Sequence, residues 1–196
     1  MKNIAVLVSG GGTNFQALID AEKRGIIKSG TIKLCISSSK NAYALVRAEK
    51  NNIKSAVIRK KDYKTATDFD NAMIKVLEEN EIDLIVLAGY LCILSPEFTE
   101  KYKNRIINIH PSLIPSFCGE GFYGLHVHEA ALKYGVKVTG ATVHYVNQVV
   151  DGGNIILQKA VEVKEGDTPE TLQRRVMEEA EWVILPKATE MICKML

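Results

Sequence analysis

Two polar side chains two residues apart, Asn108 and His110, sit in the run Asn104–Pro115, which reads NRIINIHPSLIP. An apolar pair, Ile106-Ile107, leads into them. In extended chain, residues i and i+2 share a face, so both side chains are expected to project together from the end of a buried strand. Pro111 and Pro115 then stop any ladder or helix and stiffen the exit. An amide donor beside an imidazole suits a reaction that passes through a negatively charged oxygen. One group stabilises the oxygen and the other moves a proton. The same pair can equally cap a strand, so its meaning depends on the elements that position it.

The first of these is Ile4–Val8, a continuous apolar run of the kind found in strands buried on both faces. It ends in Ser9-Gly10-Gly11-Gly12-Thr13-Asn14, and a helical pattern follows through Phe15, Leu18 and Ile19 to a stop near Arg24-Gly25. A strand, a glycine loop and a helix N-terminus form an anion cradle, because backbone N–H groups and the positive end of the helix dipole converge there. Thr13 and Asn14 can add side-chain donors to that anion. Phe15 occupies the third glycine position of a dinucleotide fingerprint, and no GK[ST] follows, which leaves a phosphate monoester as the fitting ligand. A plain tight turn is the alternative.

Further strands are expected at Thr31–Ile36, Ser55–Ile58 and Ile82–Ala88, with helices between them. One of these carries Phe69, Met73, Ile74 and Leu77 on one face and has Thr67 or Asp68 as its cap. This alternation predicts an α/β fold: an open, mostly parallel, doubly wound, Rossmann-like sheet with helices on both faces. Ligands of such sheets bind beyond the carboxyl ends of the strands. The Gly10–Asn14 loop, Gly89–Leu94 and Asn108–Ser112 all lie there. The second of these is unusually apolar, and Leu91, Ile93 and Leu94 can line a slot for a flat ring or simply pack under the loop. Ser95 is expected to cap a helix with Pro96 at its first position.

Ser116–Gly124, with three glycines and three aromatics, reads as a structured loop or flap. A helix is expected over His126–Tyr134, with His126 and His128 as surface or flap residues. An antiparallel pair, Lys137–Asn147 and Asn154–Val163, follows with Asp151 in its connection, and makes the C-terminal part of the sheet antiparallel. Thr168-Pro169-Glu170 opens a last helix bearing Leu172, Val176, Glu181 and Trp182 ahead of Pro186.

With 196 residues and 46% hydrophobic content, one domain spanning 1–196 is expected. The net charge is +2 with interspersed signs, which predicts neither nucleic acid nor membrane as a partner. Four scattered cysteines lack any CxxC pair. That predicts no metal site and a reducing, cytoplasmic setting. No leader and no membrane-length apolar run are read in the chain.

Taken in order, SGGGTN, LAGYLCILSP, NIHPSLIPSF, GATVHYV and VDGGNII resemble the phosphoribosylglycinamide formyltransferase family. The resemblance covers essentially the whole chain. NIHPS alone marks the wider formyltransferase superfamily; SGGGTN and the length point to the glycinamide ribonucleotide enzymes. The resemblance implies transfer of a formyl group from 10-formyltetrahydrofolate, as co-substrate and without metal, to the amine of glycinamide ribonucleotide in purine synthesis. It implies Asn108, His110 and Asp151 as catalytic groups and Gly12, Thr13 and Asn14 as the phosphate loop. Leu91, Cys92, Ile93, Leu94, Asn108, Asn147 and Val150 are the implied folate contacts. Glu181 is implied as a ribonucleotide ligand, with Trp182 replacing a family histidine. Cys92 stands where members often have arginine, the segment Lys64–Thr67 lacks another such arginine, and Cys118–Tyr123 lengthens the loop after PSLIPSF. These departures bear on folate contacts and loop closure, and leave the reacting groups intact.

Asn108 and His110 are expected to donate to the oxygen of a tetrahedral intermediate. Asp151 is expected to hold His110 as imidazolium by raising its pKa and to assist proton transfer. A formyltetrahydrofolate hydrolase and a non-catalytic nucleotide-binding module are the competing readings. Monomer and homodimer both remain open.

Overall fold

The computed structural model describes residues 1–196. Its strands are β1 (Lys2–Val8), β2 (Gly30–Ser37), β3 (Lys54–Val57), β4 (Leu84–Leu87), β5 (Ile106–His110), β6 (Val138–Tyr145) and β7 (Ile155–Glu162). They form a single sheet in the order β3-β2-β1-β4-β5-β6-β7. β1 to β5 are mutually parallel where they pair, while β6 runs antiparallel to both β5 and β7. The expected fold class is the observed one.

The helices are α1 (Thr13–Lys23), α2 (Tyr43–Lys50), α3 (Ala66–Glu79), α4 (Pro96–Lys101), α5 (Leu125–Tyr134), α6 (Pro169–Val176) and α7 (Trp182–Met195). A π-helical turn, Met177–Glu181, joins the last two. Both faces of the central strands are apolar because both are covered. Ile4, Val6 and Val8 of β1 pack with Phe15 and Leu18 of α1, Ala44 of α2 and Leu185 of α7. Ala5 and Leu7 face the other way, against Phe69, Met73 and Leu77 of α3 and Phe98 of α4.

The strand order reverses between β1 and β4, and a crevice opens there beyond their carboxyl ends. Its two loops are tied together: the Ser9 N–H donates to the Gly89 carbonyl at 3.0 Å and the Leu91 N–H to Ser9 Oγ at 2.8 Å.

Some local expectations need correction. The cap of α3 is Thr65, whose hydroxyl accepts from the Asp68 N–H at 3.0 Å. Thr67 and Asp68 lie inside the first turn, where Asp68 complements the helix dipole. Pro186 ends nothing; it lies within α7, just after the π turn. Such a turn widens the backbone ladder, one of the ways a helix accommodates an irregularity. The Ser95 and Thr168 caps are as expected, the latter as a reciprocal capping box with Thr171. No helix is long and apolar enough to cross a membrane.

Candidate active site

The glycine loop is shaped by the way α2 grips it. The Gly10 carbonyl accepts from the Ala44 N–H at 3.2 Å, and the Gly11 carbonyl from Arg47 Nε at 2.9 Å. Gly12 caps α1 in the left-handed region (φ 70°), and a Cβ there would meet the Ala44 Cβ at 2.6 Å. Only glycine fits both the conformation and the space. With these carbonyls tied toward α2, the N–H groups of the first turn of α1, which have no partner inside the helix, are left for an anion.

The π turn closes the far side of this cradle. Asn14 Nδ2 donates to Glu181 Oε2 at 2.7 Å, and the Thr13 hydroxyl lies 3.7 Å from Met177 Sδ. Glu181 is only 5% exposed. Burial pushes its carboxyl up to about 7, against the pull of the Asn14 amide. Asn14 Oδ1 is buried and has no partner.

The reacting end is built where β5 meets β6. Asn108 stands opposite His144 in the ladder. Asn108 Nδ2 is 3.1 Å from His144 Nε2 and 3.4 Å from Asp151 Oδ1. The His144 Nδ1–H donates to the Tyr145 carbonyl at 2.8 Å, which leaves Nε2 as the acceptor for the Asn108 amide. His110 Nε2 donates to the Phe117 carbonyl at 2.9 Å, and its Nδ1 faces Asp151 Oδ2 at 3.5 Å. Asp151 also accepts from the Gly119 N–H at 2.9 Å. Asp151 and Phe117 both have positive φ, 54° and 49°. The two loops that deliver the carboxylate and the carbonyl are thus bent into uncommon conformations at the point where they meet His110.

Burial lowers the pKa of His110 below its ordinary value, and Asp151 offsets only part of this. Asp151 reaches His110 and favours its charged form, as expected, but desolvation of the buried cation outweighs the carboxylate and the net shift is downward. Burial also pushes Asp151 up, but the His144 contact, the His110 charge and the Gly119 N–H together hold it below the usual carboxylate range.

Asn108, His110 and Asp151, Thr13 and Asn14, Glu181, Leu91, Cys92, Ile93 and Leu94, and Asn147 and Val150 all line one cavity of about 470 Å³. Gly12 stands behind it, packed on α2. Leu91 and Ile93 are 62% and 61% exposed, so their apolar surface is open to a ligand, whereas Leu94 is turned into the core beneath α3 and α4. No group of three His, Cys, Asp or Glu side chains is arranged to hold a metal ion.

Sequence reasoning missed His144, Gln173 and Met177, and misplaced His128. His126 is exposed and pairs with Glu129 at 3.1 Å, but His128 is buried and lines the cavity. The helical period carried the signal, since His128 and Ala131 share the inward face of α5. His144 was discoverable only through the β5–β6 register.

Known proteins share this architecture. The formyl transferase family matches residues 2–189. The phosphoribosylglycinamide formyltransferase of Haemophilus influenzae is 42% identical over 186 residues, which cover 95% of this chain and 84% of that protein. The trifunctional purine biosynthetic protein adenosine-3 of Gallus gallus is 46% identical over 96% of this chain, which spans only 18% of that longer protein. The solved structure of glycinamide ribonucleotide transformylase 1 from Symbiobacterium toebii superposes with a TM-score of 0.92 at 42% identity, covering 99% of this chain and 88% of that one. With the seven-stranded sheet and the crevice at its switch point, these likenesses place the chain in the formyl transferase family, among the phosphoribosylglycinamide formyltransferases.

Proposed function

We propose that this protein transfers the formyl group of 10-formyltetrahydrofolate to the primary amine of glycinamide ribonucleotide. The observation that carries the reading is the cavity itself. A phosphate cradle whose Thr13 and Asn14 reach the cavity, an apolar slot at Leu91–Leu94 and the Asn108–His110–Asp151 cluster open into the same space. A ribonucleotide with its phosphate in the cradle would direct its far end toward His110, and a flat donor ring in the slot would approach from the other side.

In the reaction, the neutral amine attacks the formyl carbon and a C–N bond forms. The carbonyl oxygen takes the negative charge. Burial disfavours the charged imidazole of His110 before the reaction begins. A developing oxyanion beside it favours protonation, so His110 takes a proton from solvent as the charge forms and returns it when the carbonyl re-forms. Both Asn108 N–H groups are engaged, one with His144 at 3.1 Å and one with Asp151 at 3.4 Å. The longer contact is the one the oxyanion recruits. Asp151, ionised at rest, lies beside His110, accepts the amine proton through a water and becomes protonated, and then gives that proton back through water toward N10. The bond from the formyl carbon to N10 then breaks, and that nitrogen receives the proton.

The chain's departures from common family members fall at the donor slot, where Cys92 presents no cation. Incubation with both substrates followed by mass spectrometry tests the reading: the ribonucleotide should gain a formyl group. Release of free formate with the ribonucleotide unchanged would make the protein a hydrolase.

A further inference from the structure

His128 is a buried imidazole for which the reaction above has no use. It lies on α5, directly after the loop that delivers the Phe117 carbonyl and the Gly119 N–H, and is 1% exposed. Its Nδ1 is sealed from solvent and has no hydrogen-bond partner, so a ligand in the cavity reaches the ring only at its Nε2 edge, which also has no partner in the protein. The ring nonetheless lines the reaction cavity, close enough to His110 for that residue's charge to bear on it. Buried polar side chains in folded proteins almost always have partners, and an exception calls for an explanation. A structural histidine would be hydrogen-bonded to its surroundings. A mere packing residue at this position would need no nitrogen at all.

Its surroundings indicate what the ring can bind. Burial pushes the imidazole down to about 4, so it is neutral over the working range. A neutral imidazole offers one N–H donor and one acceptor, and no charge. It is therefore unsuited to hold phosphate and suited to an amide or a neutral amine. It lines the same cavity as His110 and as Gln173, Met177 and Glu181, and α5 packs against α6, which carries Gln173. A ribonucleotide that runs from Gly12–Asn14 to His110 passes this wall with its amide-bearing arm.

We infer that His128 is a binding residue for the glycinamide arm of the acceptor, hydrogen-bonding its amide or amine and so setting the approach of the nucleophile to His110. The inference rests on the proposed function and names a contact which that reading does not require. It separates a ribonucleotide bearing an amide arm from a bare sugar phosphate, which the cradle alone would accept.

The test is calorimetric titration of glycinamide ribonucleotide, without folate, into the wild type, His128→Met and His128→Gln. Ribose 5-phosphate serves as the comparison ligand, and thermal melts are recorded for each protein. Methionine keeps apolar bulk without polar atoms, and glutamine keeps a donor and an acceptor. For His128→Met the expected result is loss on the order of tenfold in ribonucleotide affinity, the scale of one hydrogen bond. Ribose 5-phosphate should bind within twofold of wild type, and the melting temperature should hold or rise. Glutamine should recover part of the loss. Equal ribonucleotide affinity in wild type and His128→Met would overturn the inference while leaving the transferase reading intact. An unfolded His128→Met beside a folded His128→Gln that loses ribose 5-phosphate and ribonucleotide affinity equally would also overturn it, by making the ring a structural plug. Wild type that binds ribose 5-phosphate but not the ribonucleotide would bring down the acceptor assignment itself, and this contact with it.

Discussion

The two ends of the cavity are built on opposite plans. At the proposed phosphate end the carbonyls and side chains that shape the cradle are held by the protein before a ligand arrives, and the N–H groups of the first turn of α1 are left free for it. The Gly10 and Gly11 carbonyls are tied to α2, Gly12 is wedged against Ala44, and Asn14 is bonded to a Glu181 that is 5% exposed. At the donor slot the side chains are apolar and open: Leu91, Ile93, Val149 and Val150 are all exposed. Folding completes the first site, whereas the second gains its burial only when a ligand covers it. A preorganised polar end fixes where the substrate lies, because its groups need no rearrangement. An apolar end contributes affinity without direction. The reacting cluster sits at the junction, and there Phe117 and Asp151 adopt the positive φ values that aim both loops at His110.

The largest effects should come from that junction. His110→Ala and Asp151→Asn should each lower kcat by roughly 100- to 1000-fold, the scale of losing one oxyanion donor. Steady-state kinetics would check this alongside a melting curve showing an intact fold. A smaller deficit would move the chemistry away from the junction.

Glu181→Gln sharpens the contrast from the preorganised side. Glu181 has its carboxyl raised to about 7 in the folded protein, against an ordinary value of 4.5. Such a group contributes stability that is fully present below about pH 4.5 and is lost as pH rises toward 7. At pH 8 the glutamine variant should therefore be more stable than wild type by up to about 3 kcal/mol. The gain should vanish near pH 4.5, as read by chemical denaturation at both values, and ribonucleotide affinity should fall at the same time. A variant less stable at pH 8 would mean that the buried carboxylate supports the fold.

Asn14→Ala should raise the KM for ribonucleotide roughly tenfold, since it removes a hydrogen bond to a group that is charged above pH 7. Its KM for the formyl donor should stay near wild type. Leu91→Ser, on the open side, should show the reverse: about a fivefold higher KM for the donor, an unmoved ribonucleotide KM and an unmoved melting temperature, because little of Leu91 is buried by folding. Parallel losses for both substrates in either variant would break the division between the two ends.

Sequence patterns exposed the preorganised side well. Apolar runs buried on both faces, a glycine loop and a helix start are local signals, and β1, the cradle and α1 follow from them directly. The position of Asn108 and His110 at a strand end was legible for the same reason. What escaped depends on pairing and depth. His144 enters the site because β6 runs antiparallel to β5 in a register that sets it opposite Asn108. His128 is buried because α5 turns that face inward against α6. The aspartate that favours the charged form of His110 can be read in the sequence, but the burial that outweighs it cannot. The π turn that divides the last helical stretch ahead of Pro186 leaves no local mark in the sequence.

The central claim is that one cavity brings a phosphate-bearing acceptor and a formyl donor to the same cluster. The most direct measurement follows the absorbance of deformylated folate with purified protein and 10-formyltetrahydrofolate, in the presence and absence of glycinamide ribonucleotide. Signal that depends on the ribonucleotide and saturates with it is the predicted result. Equal signal without it, or none in either vial from folded protein, would contradict the account.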